Sequence, residues 1–406
     1  MSTSLDSMLS ANQTIYLNSW GFLLLAAVAV LAAQALRAPA WRNAVVLAAS
    51  AYFLSFFIPD LATFAVFGGY LATVYGLGQW KLRRDIEFSG PAYAAIVTAF
   101  WAFLFLIKGP QLLAPLNPFF HFPIQIIGIS YITFRGIGYV TDIDVIEDRS
   151  ALSFVAYMIF FPTLLAGPIA RFDDFLEDWK SPIPEDLPVL PHMHRVANGM
   201  IMKFVVADNL APCCAYAVGE TYETTAPALV FFSVIAQFFI FFFDFAGYTA
   251  MMIGISGLMG FRMPENFNKP WLATNIQDFW SRWHMSMTHF IQDYVYTPVM
   301  RETLRVTPKK SVWIATIGVN FFSVMLIALW HAPTWGFFAF GLAHGAAVTF
   351  AQLQRRFIKP AGSQAIKIAN TYLARAATVS FVAGTMILWY FGPTKTFSML
   401  AYSVGL

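Results

Sequence analysis

Eight runs of this chain pass without a single Lys, Arg, Asp or Glu: residues 7–36, 43–59, 61–80, 88–107, 150–170, 224–243, 311–354 and 376–394. A helix crosses a hydrocarbon core about 30 Å thick in roughly 20 residues, so each run is long enough, or nearly so, to span a bilayer. Soluble domains carry about 25% charged residues, whereas this 406-residue chain carries 12% and is 58% hydrophobic. A membrane β-barrel is also excluded, because its strands alternate in and out over about ten residues and leave no continuous apolar runs. The pattern calls for an all-α polytopic membrane protein, a single integral membrane domain over residues 1–406. With a net charge of only +3, nothing calls for a nucleic acid partner.

Hydropathy and charge predict spans near 16–36, 43–59, 61–80, 91–107, 122–141, 151–169, 196–218, 225–243, 245–261, 311–331, 334–353 and 377–399, about eleven or twelve in all. The N-terminal stretch MSTSLDSMLSANQ has no basic region or cleavage site of a secretory signal, so the first apolar run is expected to stay as a helix. Arg37 and Arg42 flank the first connection and Lys81, Arg83 and Arg84 the third, whereas the second (Pro59, Asp60) has no base and the fourth only Lys108. Positive charge collects on the cytoplasmic side, which puts the N-terminus outside and Lys309 and Lys310 inside. Two segments are too charged to span, 171–195 and 262–310, and read as interfacial or re-entrant. In the second, Trp280, Trp283, Met287, Ile291 and Tyr294 recur at three- and four-residue spacing, one face of a helix. Such an aromatic face suits the membrane interface or a protein-lined cavity.

An ionisable group inside a bilayer is costly, and each is a functional candidate by default. Four of the seven histidines fall between 284 and 344. His331 lies in a 44-residue stretch, 311–354, that holds no other ionisable residue except His344. The pair Trp330-His331 echoes Trp283-His284, 47 residues earlier. A neutral imidazole is the natural acceptor of a hydroxyl proton near neutral pH; the competing reading is a packing residue satisfied by a hydroxyl or carbonyl. For His344, with Gly341 and Gly345 on the same helix, that reading is close helix packing with a hydrogen bond to a neighbour. Asp244, after a run of phenylalanines, is either paired at a polar cavity or the cap of a following helix. Arg135 and Lys203 are near-membrane charges able to snorkel. Cys213 and Cys214 read as small core residues. No metal site is expected: His284 and His289 are five apart, and there is no HExxH. A Gly-rich phosphate loop and a Gly-x-Ser-x-Gly elbow are also missing.

Ordered blocks then carry a resemblance. They are Gly128-Ile129-Ser130-Tyr131, Phe161-Pro162-Thr163 with Ala166-Gly167-Pro168-Ile169, and Asp244-Phe245-Ala246-Gly247-Tyr248. Next come Asn266-Phe267-Asn268-Lys269-Pro270, Asp278-Phe279-Trp280-Ser281-Arg282-Trp283-His284-Met285-Ser286, and Asp293-Tyr294. The last is Trp330-His331 followed by Gly341-Leu342-Ala343-His344-Gly345. Together, over roughly residues 120–350, the chain resembles the membrane-bound O-acyltransferase family. It is most similar to the bacterial branch that transfers D-alanyl groups in teichoic acid D-alanylation, with the alginate O-acetylation type second. Phe-Asn-Lys-Pro at 267–270, Trp-His-Met-Ser at 283–286 and Thr334-Trp335 favour the first branch, as does length, since acetylation-type members usually continue well beyond this C-terminus. Ala332 stands where the family usually has Gly, and Ala166 is nearer to the acetylation branch.

The resemblance implies a ring of helices around a thin centre, with a tunnel bringing a cytoplasmic thioester to an extracytoplasmic hydroxyl. It assigns His331 as the catalytic histidine and His284 as the second active-site histidine. Trp283, Trp330, Asp278, Arg282, Asp244, Ser130, Asn268 and His344 are then expected along the substrate path. Span counting puts His331 at a helix end near one face, whereas the family places it inside the membrane, and Pro333 would permit a broken helix there. No cofactor is expected to be permanently bound. The implied donor is the phosphopantetheine thioester of a small acyl carrier protein, or acetyl-CoA in the second branch. The acceptor is a hydroxyl of a cell-envelope polymer or lipid-linked sugar, at the bacterial cytoplasmic membrane. Segment 271–300 with Arg301, Arg305, Lys309 and Lys310 would form the carrier's docking surface, unless those bases only set topology. A small accessory membrane subunit is compatible with this scheme. A transporter or flippase would also explain many spans, but predicts inverted repeats, and none is evident.

Overall fold

The computed structural model describes residues 20–58, 60–85, 90–108, 128–215, 222–357 and 364–405. The N-terminal stretch on which the missing signal was read, and residues 122–127 of one expected span, lie outside them. The described chain is helical, with one isolated antiparallel bridge between Phe267 and Trp283. It gathers into two compact units. The first takes residues 1–87, 124–197 and 250–264, the second 88–123, 198–249 and 265–406.

The first unit holds α1 (Trp20–Ala35), α2 (Pro39–Ser55), α3 (Leu61–Arg83), α5 (Ile129–Asp142), α6 (Ala151–Ile159), α7 (Phe172–Lys180) and most of α8 (Val189–Met200). Its expected span 151–169 is a correction: the helix stops at Ile159 and a short 3-10 turn, Phe161–Thr163, follows. Pro162 has no N–H to continue the helix. Arg135, buried on α5, takes over the carbonyls left open, donating to Tyr157 O (2.7 Å), Met158 O (2.9 Å) and Thr163 O (2.8 Å). Arg135 therefore does not snorkel. Arg42 behaves likewise: fully buried, it donates to Asp178 O (2.6 Å) and Trp179 O (2.9 Å) and lies 4.6 Å over the Phe261 ring. Lys81 is buried too, with Asp144 at 2.6 Å. Two of the bases flanking the early connections thus hold tertiary structure.

The second unit holds α4 (Gly90–Lys108), a π-turn at Ile201–Ala207 that runs on from α8 into α9 (Asp208–Ala215), and most of α10 (Pro227–Leu258). It continues with α11 (Ile276–Trp280), α12 (Met285–Ile291), a second π-turn at Gln292–Tyr296, and α13 (Thr297–Val306). The chain then forms α14 (Val312–His331), α15 (Trp335–Phe357), α16 (Gln364–Met386) and α17 (Leu388–Ser403). Here the expected spans 225–243 and 245–261 prove to be one helix, α10, 32 residues long. Asp244 is mid-helix and caps nothing; its carboxylate pairs with the Lys203 ammonium, which sits in the π-turn. A π-turn displaces a side chain from the regular helical face, and Gly247 lets α10 close on it. A Cβ at Gly247 would lie 2.8 Å from both Gly199 O and Lys203 N. The last expected span is also broken, since the helices either side of Ile387 bend by 105°.

Among the described residues, four helices are long and apolar enough to cross a membrane: Leu61–Arg83, Pro227–Leu258, Lys309–His331 and Trp335–Phe357, with the bent pair a fifth. Gly21–Ala35 and Ala92–Phe105 are shorter apolar helices. Side chains such as Leu31, Phe232 and Phe350 are exposed to the outside by 65% or more. In water such a surface would be unfavourable, and in lipid it is the expected solvent-facing side. The protein is a multi-pass membrane protein.

Candidate active site

The loop before α12 is organised by polar residues. Asn275 caps α11 through its side-chain oxygen, which accepts from Gln277 N and Asp278 N at 3.0 Å each. The Asp278 carboxylate accepts from Thr274 N (2.9 Å) and pairs with Arg282 Nε (2.7 Å). Although partial burial works against ionisation, these bonds hold the Asp278 carboxyl below the usual carboxylate range. After Trp280 the chain turns back on itself. Asn268 N donates to Arg282 O and Met285 N to Asn266 O, both at 2.9 Å, on either side of the Phe267–Trp283 bridge. The aromatic series at 280–294 therefore does not lie on one continuous helix, contrary to its periodicity. Trp283, Met287, Ile291 and Tyr294 are nonetheless buried together in their segment.

His284 sits at the break with φ 45°, in the left-handed region that non-glycine residues rarely enter. Beside it is Asn266, fully buried. The Asn266 Oδ1 accepts from Ser286 N (3.1 Å) and from the Ser286 hydroxyl, and lies 3.4 Å from His284 Nδ1. An amide oxygen can only accept, so the proton of the neutral ring is on Nδ1 and Nε2 is the acceptor nitrogen. Burial keeps the imidazole neutral by pushing its pKa well below the ordinary value.

His331 is the last residue of α14. The following Ala332 is extended (φ −162°, ψ 141°) because Pro333 disfavours the helical region for the residue before it. The ring is half-buried between Trp330 (centroids 4.4 Å), Phe337 (5.4 Å, stacked) and Trp389 (5.9 Å, stacked). His344 comes from α15. Glycines bring that helix against α14: a Cβ at Gly345 would lie 2.6 Å from the Phe321 ring, and one at Gly341 2.7 Å from Met325 Sδ. The His344 ring is fully buried, 3.9 Å from Phe340, with Nε2 2.8 Å from Thr385 Oγ1.

His284, His331 and His344 line one narrow cavity together with Trp280, Trp283, Trp389 and a set of phenylalanines. Its volume, about 20 Å³, admits one or two waters, or a group of that width. No carboxylate, ammonium or guanidinium is among its lining residues. Among the described residues no three His, Cys, Asp or Glu side chains assemble as a metal site. The wall can orient a thin apolar substrate and move a proton between imidazoles and substrate, and it supplies no fixed charge.

Of the residues singled out from sequence, His284, His331, His344 and Trp283 meet at this cavity. Trp330 stands behind His331 as its ring neighbour. Asp278 and Arg282 bond each other and brace the loop, and Asn268 contributes backbone atoms to that brace. Asp244 is engaged by Lys203, while the adjacent Phe245 reaches the cavity wall, 4.9 Å from the His284 ring. Ser130 is buried on α5, in the other unit. Three participants carry no signal of their own in the sequence: nothing in it separates Asn266 from Asn268, and Thr385 and Trp389 come from a region with no motif.

The family described as MBOAT, membrane-bound O-acyltransferase family, matches residues 144–389, a range that contains all three cavity histidines. The chain belongs to the membrane-bound O-acyltransferase family. A teichoic acid D-alanyltransferase of Bacillus subtilis (strain 168) is 32% identical over 312 residues, 71% of this chain and 74% of the relative. One from Streptococcus thermophilus is 30% identical over 286 residues, 67% of this chain and 66% of that protein. A probable alginate O-acetylase of Azotobacter vinelandii is 32% identical over 222 residues, 54% of this chain and 43% of the relative, so the chain matches less than half of that protein. As a membrane-bound O-acyltransferase, the protein is an enzyme that transfers acyl groups, and the cavity of histidines and indoles lies within its family-defining segment.

Proposed function

We propose that the enzyme moves a D-alanyl group from a carrier-protein thioester to a hydroxyl of a cell-envelope acceptor, with His331 as the general base. The observation that carries this reading is the convergence of His331 and His284 on one uncharged, water-narrow cavity. His331 is half-buried and at a helix end, whereas His284 is 2% exposed and tied to Asn266. The more accessible ring is therefore assigned to the incoming hydroxyl. His331 takes the hydroxyl proton as the oxygen attacks the thioester carbonyl carbon; the carbon–sulfur bond then breaks and the proton passes to the leaving thiolate. His284, with its proton on Nδ1, orients the donor. A phosphopantetheine arm is thin enough for so narrow a passage, and the carrier stays on the cytoplasmic side. The exposed bases of α13 and the turn after it, Arg301, Lys309 and Lys310 with Arg305, provide a docking surface for an acidic carrier. The membrane is the bacterial cytoplasmic membrane, and the N-terminus is extracytoplasmic.

D-alanyl is preferred over acetyl because the D-alanyltransferase relatives align over more of both chains than the Azotobacter acetylase does. Purified protein supplied with labelled D-alanyl carrier protein or labelled acetyl-CoA tests the donor: transfer from the first is expected. His331→Ala and His331→Gln proteins should insert and melt like the parent yet lose transfer by at least about a hundred-fold, the lower range for a general base. Normal transfer by either variant rules the assignment out.

A further inference from the structure

His344 is the third histidine of the cavity, and the reaction above gives it no task. The Thr385 hydroxyl has one proton, and two carbonyls of its own helix, Phe381 O (3.0 Å) and Val382 O (2.9 Å), lie within reach of it, as a helical threonine's back-bond requires. With that proton kept in the helix, the Thr385 oxygen accepts, and the Nε2 that approaches it at 2.8 Å carries the ring proton. The neutral ring then has its lone pair on Nδ1. That atom is fully buried, as is the whole side chain, and meets no hydrogen-bond partner among the described residues. A buried acceptor without a donor is destabilising, and such atoms in native structures call for an explanation.

The ring lines the cavity beside two aromatic rings, Phe340 tilted against it at 3.9 Å and Trp280 in a T-shaped arrangement at 5.5 Å between centroids. An acceptor nitrogen among aromatic rings, with no carboxylate among the described lining residues, matches a small cationic N–H donor. The imidazole lone pair takes one hydrogen and the rings take the charge by cation–π attraction. An acetyl group offers nothing to either feature, whereas an aminoacyl group carries an ammonium about the size of the water that the cavity admits.

We propose that His344 is a donor-binding residue, its Nδ1 accepting a hydrogen bond from the α-ammonium of the acyl group, with Thr385 fixing the ring so that this nitrogen is the acceptor. This rests on the D-alanyl reading above and adds the residue that selects the amino group.

Propionyl differs from D-alanyl by the amino group alone. The test measures kcat/KM for D-alanyl-pantetheine and propionyl-pantetheine on the intact purified protein in parallel. The wild-type protein should favour D-alanyl, and His344→Phe should lower the D-alanyl-to-propionyl ratio by about ten- to a hundred-fold, the worth of one hydrogen bond to a charged group. His344→Asn, which keeps an acceptor, should recover much of the ratio. Thr385→Val, which keeps the bulk but frees the tautomer, should lower it less than Phe does, and it carries the test if His344→Phe does not fold. A merely structural role would reduce transfer of both donors together and leave the ratio unmoved in all variants, which overturns the inference. Wild-type protein that uses propionyl as readily as D-alanyl overturns both this inference and the donor reading. Wild-type selection that survives in His344→Phe overturns this inference alone.

Discussion

Asn266→Ala is the sharpest probe of how the site is held together. The Asn266 Oδ1 receives the Ser286 amide and hydroxyl and faces His284 Nδ1. All three residues are at most 4% exposed, so water cannot replace the lost acceptor. Leaving a buried donor unsatisfied costs about 1–3 kcal/mol, so the two Ser286 donors together amount to about 2–6 kcal/mol, and the 3.4 Å contact to His284 adds little. Against this, the Asn266 Nδ2 is itself buried without a partner among the described residues, and its removal returns about 1 kcal/mol. The net loss is about 1–5 kcal/mol. The same bonds hold His284 at φ 45°, a conformation that costs a non-glycine residue about 1–2 kcal/mol. With the restraint gone the backbone has reason to relax, and the imidazole leaves the cavity wall. The assay pairs thermal unfolding in detergent with acyl transfer. The midpoint should fall by several degrees, and transfer should fall toward that of His284→Ala. An Asn266→Ala protein that melts with the parent and transfers at its rate would refute this account of how His284 is positioned.

Other predictions follow from the buried charges. Lys203→Met leaves Asp244 in the middle of a membrane-length helix without its counter-ion, and the loss should be about 1–3 kcal/mol. The double variant Lys203→Met/Asp244→Asn should regain most of it in a thermal scan, and equal destabilisation of single and double variants would count against the pairing. His284 also makes stability depend on pH. Its folded-state pKa is depressed by burial, so below about pH 6.5 the unfolded chain binds a proton that the folded one does not. The contribution is complete above that pH and is lost as pH falls, by about 1.4 kcal/mol per unit and about 2 kcal/mol between pH 7 and pH 5. The midpoint of the parent should therefore drop more over that interval than the midpoint of His284→Gln, and parallel slopes would argue against a neutral buried ring.

Several features of the protein follow from neighbouring residues alone. Eight uncharged runs require a membrane protein whatever each run packs against, because burying so much apolar surface in water-soluble form would need polar surface the chain lacks; which runs become full spans is not local, as the run 150–170 shows by folding into a short helix and a turn. The end of α14 at His331 is local, since Pro333 constrains Ala332 sterically. Gly341 and Gly345 foretell close packing of α15, and the block containing His284 marks the family, because order along the chain is itself sequence information.

Hydropathy could not tell that Asp244 interrupts nothing. Reading a carboxylate as a stop assumes that its charge is uncompensated, and the compensation comes from Lys203, 41 residues earlier, displaced by a π-turn. Nor could spacing separate Asn266 from Asn268. The two flank a bridge whose partner strand begins beyond α11, and only that reversal turns one asparagine into a buried acceptor and leaves the other a backbone contact. Thr385 and Trp389 carry no motif, because their roles are set by which helices they meet. A helix break at Ile387 brings Trp389 against His331, and α16 brings Thr385 against His344. Long-range packing selects among polar groups that look alike in one dimension, since desolvation and hydrogen-bond partnership belong to the assembled wall and not to any single residue.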